Sequence, residues 1–166
     1  MVVESKLEAL LSVASVLWLA STCPDGTPHV VPCWFVWDGD ELTVLTRADA
    51  QKARNVRCQP RVMVAIGSPE PMFGVELLQA TAVLEETVCR DLVERFERKY
   101  AEQMPLAAFD LDSFRGRFTV GIRITPSRLL DWGAREVARR DAASLGSREL
   151  EAVSRGAFRV GTPGPG

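Results

Sequence analysis

Apolar positions along the chain either alternate with polar ones or recur every three to four residues, and the changes between these two periods mark out its elements. In ESKLEALLSV, Leu7, Leu10 and Leu11 fall at helical spacing, which predicts a short opening helix. VLWLAST (Val16 to Thr22) then turns to β-branched and aromatic residues. The turn Pro24-Asp25-Gly26-Thr27 separates it from a second run, HVVPCWFVW, which Asp38-Gly39-Asp40 ends before a third, ELTVLT. Proline presets φ, aspartate bonds the local backbone and glycine accepts positive φ, so these signals predict a β-meander.

After Thr46 the chain becomes alanine-rich and polar. Asp49 is a plausible N-cap, Ala50 to Arg57 reads as a helix of about two turns, and Pro60 bars its continuation. RVMVAIG is apolar on both faces and predicts an interior strand. GSPEPMFG is a loop, and VELLQATAVLE is a long strand. From Glu85 to Met104 the period is helical, with Val88, Leu92, Val93, Phe96 and Tyr100 on one stripe and Arg90, Glu94 and Lys99 outside it. Phe118, Val120, Ile122 and Ile124 alternate with polar or small residues in a last strand, which Pro126 is expected to stop. SRLLDW would extend that edge. From Gly133 the chain is mixed-charge and then Gly/Pro-rich, so the expected division is a domain over 1–132 and a polar extension over 133–166. Six strands joined mainly by hairpins predict a mainly β fold, a six-stranded antiparallel barrel with flanking helices, rather than a doubly wound sheet.

Composition narrows the function classes. The chain has 166 residues, 46% hydrophobic and 25% charged, with a formal net charge of −2. That balance gives no bulk attraction to nucleic acid or an anionic membrane, so any positive site must be local. Apolar runs end well short of the ~18 residues a membrane span needs. The N-terminus has two glutamates beside one lysine and does not read as a signal peptide. Cys23, Cys33, Cys58 and Cys89 show no metal-ligand spacing, so no metal site is expected, and free thiols fit a reducing cytoplasm. No G-x-G-x-x-G follows a strand, so a Rossmann site is unsupported.

The segment TRADAQKARNVRCQPRV, Thr46 to Val62, carries the densest candidate chemistry. Among 20 basic residues only Lys6, Lys52 and Lys99 are lysines, and Lys52 lies here among Arg47, Arg54, Asn55 and Arg57. A strand ending in a hydroxyl and an arginine, feeding a helix on which Lys52 and Asn55 share a face, offers a phosphate charge-assisted donors from several directions. A solvated polar helix has the same composition. Trp34, Phe35 and Trp37 crowd the second strand, with alternation sending Trp34 to one face and Phe35 and Trp37 to the other. They serve either as core and interface packing or as a wall beside a flat cofactor. His29, the only histidine, has no serine, cysteine or carboxylate beside it in sequence, Cys33 reads as a small buried hydrophobe, and Asp110 and Asp112 read as helix-start and loop charges. No residue is assigned a catalytic role.

In order and spacing, the D-G-x-P turn, the P-x-W-F strand, the D-G hairpin, the strand ending in threonine, the K-x-x-N helix and P-R-V resemble the pyridoxamine 5′-phosphate oxidase-like FMN-binding split-barrel family. The likeness is nearest to its deazaflavin (F-420) branch and covers roughly Val13 to Trp132. The resemblance implies a split barrel, a homodimer with cofactor in the groove between subunits, and an oxidoreductase acting on a small organic substrate. By that likeness Thr46, Arg47, Lys52 and Asn55 would hold the phosphate and ribityl portion of FMN or deazaflavin. Pro32, Cys33 and Trp34 would lie against the isoalloxazine, and Trp132 would reach in from the second chain. Two alternatives stay open: a non-catalytic module that binds or stores flavin or haem, and a true pyridoxamine 5′-phosphate oxidase.

Overall fold

The computed structural model describes residues 5–68 and 74–130. Trp132 and the extension over 133–166 lie outside the described residues, as do most of the GSPEPMFG loop and the end of SRLLDW. The described elements run α1 (Ser5–Val13), β1 (Leu17–Thr22), β2 (Pro28–Cys33), β3 (Val36–Trp37), β4 (Leu42–Thr46), α2 (Gln51–Cys58), β5 (Arg61–Ser68), β6 (Gly74–Glu85), α3 (Arg90–Lys99), α4 (Gln103–Leu106), α5 (Leu111–Arg117) and β7 (Val120–Leu130). All strands join one antiparallel sheet of seven in the order β2-β1-β5-β6-β7-β4-β3. The sheet curls into a half-barrel, in keeping with the split barrel expected from the sequence.

The meander forms as its turn chemistry dictates. The Asp25 carboxylate accepts the Thr27 N–H at 2.9 Å while Gly26 takes φ +86°. The Asp38 carboxylate likewise accepts the Glu41 N–H at 2.8 Å, beside Gly39 at φ +105°. On β1, Leu17, Leu19 and Ser21 point inward and Trp18 outward, as a period of two requires. Inward residues of β1, β4, β5, β6 and β7 meet Leu7 and Leu11 of α1 and Val56 of α2 in the main core. A second core, with Phe96, Tyr100, Met104 and Phe114, lies where α3, α4 and α5 cover Val36 and Leu45.

Four expectations are corrected. The run HVVPCWFVW is two strands, because pairing lapses at Trp34 and Phe35; this brings the count to seven. There the Tyr100 hydroxyl accepts the Phe35 N–H at 2.7 Å and stands 2.7 Å from the Phe35 carbonyl and 2.9 Å from that of Ser15. The tyrosine thus replaces the missing ladder partner of a fully buried residue. Pro126 does not stop the last strand. A register shift at Gln79/Ala80 sets Ala80 opposite Pro126 and Gln79 opposite Arg128, so the extra residue, Ser127, bulges and bonds the Gln79 carbonyl at 3.1 Å. The helix expected to reach Met104 ends with α3 at Lys99, and the chain turns again as α4 before Asp110 caps α5 with a reciprocal box to Ser113. β5 is an interior strand, as expected, between β1 and β6, with Met63 of its outer face 36% exposed. Finally, Lys99 is not on an outer face: its Nζ sits 3.8 Å above the centre of the Phe35 ring.

Tyr100→Phe is expected to cost roughly 1–3 kcal/mol in urea or guanidinium unfolding, because it strands a buried N–H without removing aromatic packing. A loss within a few tenths of a kcal/mol would show that the hydroxyl is dispensable.

Candidate functional site

The site is built where β2 ends, β4 ends and α2 begins. α2 packs on β1 and β6, and a chain of polar contacts fixes its rotation. Asn55 is fully buried and donates from Nδ2 to the Ser21 hydroxyl at 2.9 Å, while its Oδ1 accepts from the Gln51 amide at 2.7 Å. Ser21 Oγ in turn lies 3.5 Å from His29 Nδ1 across the β1–β2 ladder. A serine therefore does stand beside the histidine, brought there by register rather than by sequence proximity. Buried amides need such partners, and Asn55 spends its amide on them.

The arginines of the segment are similarly engaged. Arg47 is paired with Asp49 through Nε at 2.8 Å, so Asp49 spends its carboxylate there and gives α2 no side-chain cap; Ala50 takes the N-cap position. Each member of that pair holds the other charged, raising the guanidinium and lowering the carboxyl. Arg54 donates to the Asp49 carbonyl at 2.6 Å, and Arg57 pairs with Glu86 at 3.0 Å. Among the described residues from Thr46 to Cys58, Lys52 is the cation that has neither a side-chain hydrogen bond nor an ion pair within the chain.

Lys52 opens instead onto a cavity of about 220 Å³. Pro32, Cys33 and Trp34 line the same space, so the fold brings four of the candidate residues together. Thr46, 2% exposed at the end of β4, Arg47 and Asn55 are not in its lining, and Trp132 lies outside the described residues. Trp34 is held as a plate, its ring stacked on Tyr100 at 4.6 Å and 7°. Burial pushes the Cys33 thiol up to about 11, against a smaller opposing pull from the Lys52 charge, so the thiol stays protonated near neutrality.

The rest of the wall was not anticipated as a site. Val44 and Leu45 of β4 and Phe96, Phe109, Phe114 and Phe118 complete it. Phe96 reads in sequence as helix stripe and Phe118 as strand alternation. Only their convergence through α3, α5 and the start of β7 makes a pocket. Among the described residues there is no cluster of three or more His, Cys, Asp or Glu that could hold a metal ion, and no helix long and apolar enough to cross a membrane.

One curled antiparallel sheet with helices inserted between its strands is the architecture of the split-barrel proteins. The chain belongs to the pyridoxamine 5′-phosphate oxidase family, whose model matches residues 3–133. Among solved structures it is similar to an F-420 reductase (22% identity, 77% of this chain and 98% of that one, TM-score 0.64). It is also similar to a Listeria innocua protein assigned provisionally as a pyridoxamine 5′-phosphate oxidase (26%, 75% and 94%, TM-score 0.57). A third is HutZ, described as the haem storage protein of Vibrio cholerae (19%, 78% and 94%, TM-score 0.61). No curated protein sequence matches the chain significantly.

Beside this site, desolvation lowers Lys99 from its ordinary 10.5 to about 8. Between those values the unfolded chain holds the proton and the folded chain does not, so this group makes stability rise with pH from about 8 to 10.5. Cys33, raised to about 11, and Tyr100, raised to about 12, act in the opposite sense at alkaline pH. The wild-type minus Lys99→Met difference in unfolding free energy isolates the lysine. It is expected to shift in favour of wild type from pH 7.5 to 10, and a flat difference would place Lys99 in full contact with water.

Proposed function

We propose that the protein is a homodimeric oxidoreductase that binds FMN, with Lys52 as the principal cation on the cofactor phosphate, and reduces or oxidises a small organic substrate. The observation that carries the reading is Lys52 itself. Arg47, Arg54 and Arg57 each have an internal partner, while this ammonium has none among the described residues and lines a cavity walled by Trp34. A phosphate is the natural counter-charge for such a group. Arg47, exposed and held only by its local pair with Asp49, can turn to the same phosphate, and Thr46 ends the strand that delivers both. Pro32, Cys33 and Trp34 form the surface for the ring. Asn55 contributes indirectly, by holding α2 so that Lys52 faces the cavity. Trp132 is proposed to reach the groove as the partner's Trp132.

When bound, the isoalloxazine supplies the hydride chemistry. The chain's own residues hold the phosphate, set the ring plane against Trp34 and keep water from the apolar side. Deazaflavin would use the same residues for its phosphate, and the likeness of the fold to an F-420 reductase keeps it as the alternative cofactor. For the haem-storage alternative, the cavity lining among the described residues offers no histidine and a thiol that stays protonated, a poor donor set for haem iron. The pyridoxamine 5′-phosphate alternative would need a further cationic grip beyond Lys52.

The homodimer reading draws on the outer face of the sheet. Trp18 pairs with Pro32 on one side and Ala65 on the other, and Ala20 pairs with Val30 and Met63, which sets these side chains on one face. Trp18 is 50% and Val30 56% exposed, a contiguous apolar surface of the kind that a second copy covers.

Titration of the purified protein with FMN and with riboflavin tests the phosphate assignment. Lys52→Ala is expected to weaken FMN at least about tenfold, the loss of one charge-assisted contact, and to leave riboflavin within about twofold. Equal losses for the two would remove Lys52 from the phosphate site, and absence of micromolar binding by FMN and deazaflavin alike would end the oxidoreductase reading. Met63→Glu, a charge placed at the centre of the outer face, is expected to shift sedimentation from dimer to monomer. A variant that sediments as wild type would show that this face is not the interface.

A further inference from the structure

The cavity beside Lys52 has a largely aromatic wall. Beyond Pro32, Cys33, Trp34, Val44 and Leu45 it is closed by four phenylalanines that the helical insert between β6 and β7 supplies. Trp34 meets Phe109 edge-on at 6.5 Å and Phe114 at 6.4 Å, while Phe109 and Phe118 stand 5.4 Å apart at 67°. These rings are packed on one another in favourable geometry, so they do not need to close the space between them. A space of about 220 Å³ lined by rings exceeds the ~150 Å³ apolar cavity that stays dry and takes up benzene. Lys52 is the one charged side chain in the lining.

We infer that the phenylalanine-lined part of this cavity is a substrate site for an uncharged, flat aromatic molecule of one or two fused rings, seated beside the cofactor. The substrate class rests on the flavin reading in one respect: once the phosphate has neutralised Lys52, no charge in the lining remains to pair with an anionic substrate. Without cofactor the same cavity has a free ammonium and accepts an aromatic acid as well. The site therefore changes its charge preference when the cofactor binds, and that change is a property a merely structural void would lack.

Calorimetric titration with 2-naphthol (uncharged) and 2-naphthoate (anionic), on the protein without cofactor and saturated with FMN, reads this directly. Expected are saturable binding of 2-naphthol to both forms within about threefold, and of 2-naphthoate to the cofactor-free form, weakened at least tenfold by FMN. Lys52→Ala should weaken 2-naphthoate alone. Phe109→Leu and Phe118→Leu, each checked for a native melting transition, should weaken 2-naphthol at least fivefold. Loss of 2-naphthol binding on adding FMN would overturn the proposal, because the cavity would then belong to the cofactor ring. So would the absence of saturable 2-naphthol binding by the cofactor-free protein, or affinities unmoved in both phenylalanine variants. If FMN itself does not bind, the flavin reading fails separately, and the cofactor-free titrations with the phenylalanine variants still decide whether the cavity is an aromatic site.

Discussion

The contact on which the site depends is the Tyr100 hydroxyl against the Phe35 peptide. A strand that crosses the sheet edge must either keep its ladder or satisfy the freed groups some other way, because Phe35 is fully buried. Tyr100 does the second, at 2.7 Å to both the N–H and the carbonyl of Phe35. That single side chain lets β2 and β3 part, frees Trp34 from the sheet and then supplies the ring on which Trp34 stacks. It also pins the end of α3 to the barrel, and α3 begins the insert that walls the cavity with phenylalanines. Break in the strand, aromatic plate and helical lid thus share one cause.

Electrostatics at the α2 end follow a second economy. A cluster of cations would repel itself and be poorly selective for any ligand. Here Arg47, Arg54 and Arg57 are each turned to an oxygen of the protein, by carboxylate or carbonyl. Their local pairs are exposed and contribute little to stability. Their effect is on specificity, since they leave Lys52 as the ammonium available to a ligand among the described residues of the segment. Asn55 completes the arrangement from beneath. Fully buried and bonded to Ser21 and Gln51, it fixes the helix face rather than adding a donor to the cavity.

Much of the fold could be read from the sequence because its signals were local. The P-D-G and D-G turns, the alternation of β1 and β7 and the stripe of α3 all rest on residues within a few positions of each other. What escaped reading was set by distant partners. Nothing near Phe35 announces that Tyr100, 65 positions on, will take over its peptide groups. Pro126 was expected to end its strand because the bulge that tolerates it depends on the register of β6. At the site, the sequence pointed to Pro32, Cys33, Trp34 and Lys52, which do converge. It could not distinguish Asn55 as an inward tie from Asn55 as an outward donor, since both share the helix face of Lys52 until the fold decides which way that face tilts. Phe109 and Phe114 gave no periodic signal of their own, because they come from a loop and a short capped helix, and Phe118 read only as the start of a strand alternation.

The titratable groups around the cavity bear on how any reaction there could run. Its lining contains Cys33 and Lys52 as the ionisable side chains, and the Cys33 thiol, at about 11, keeps its proton at neutral pH. Tyr100, behind Trp34, is held still higher, at about 12, by burial that outweighs its hydrogen bond. Lys99 titrates nearer neutrality, at about 8, but its ammonium lies against the Phe35 ring rather than in the lining. General acid–base catalysis works best with a group whose pKa is close to the working pH and within hydrogen-bond reach of the reacting atom. Neither Cys33 nor Tyr100 meets the first condition and Lys99 does not meet the second. A wall so poor in usable proton donors and so rich in aromatic surface suits chemistry in which the bound cofactor carries the electrons. The protein's part is then to bind, orient and dry the reactants.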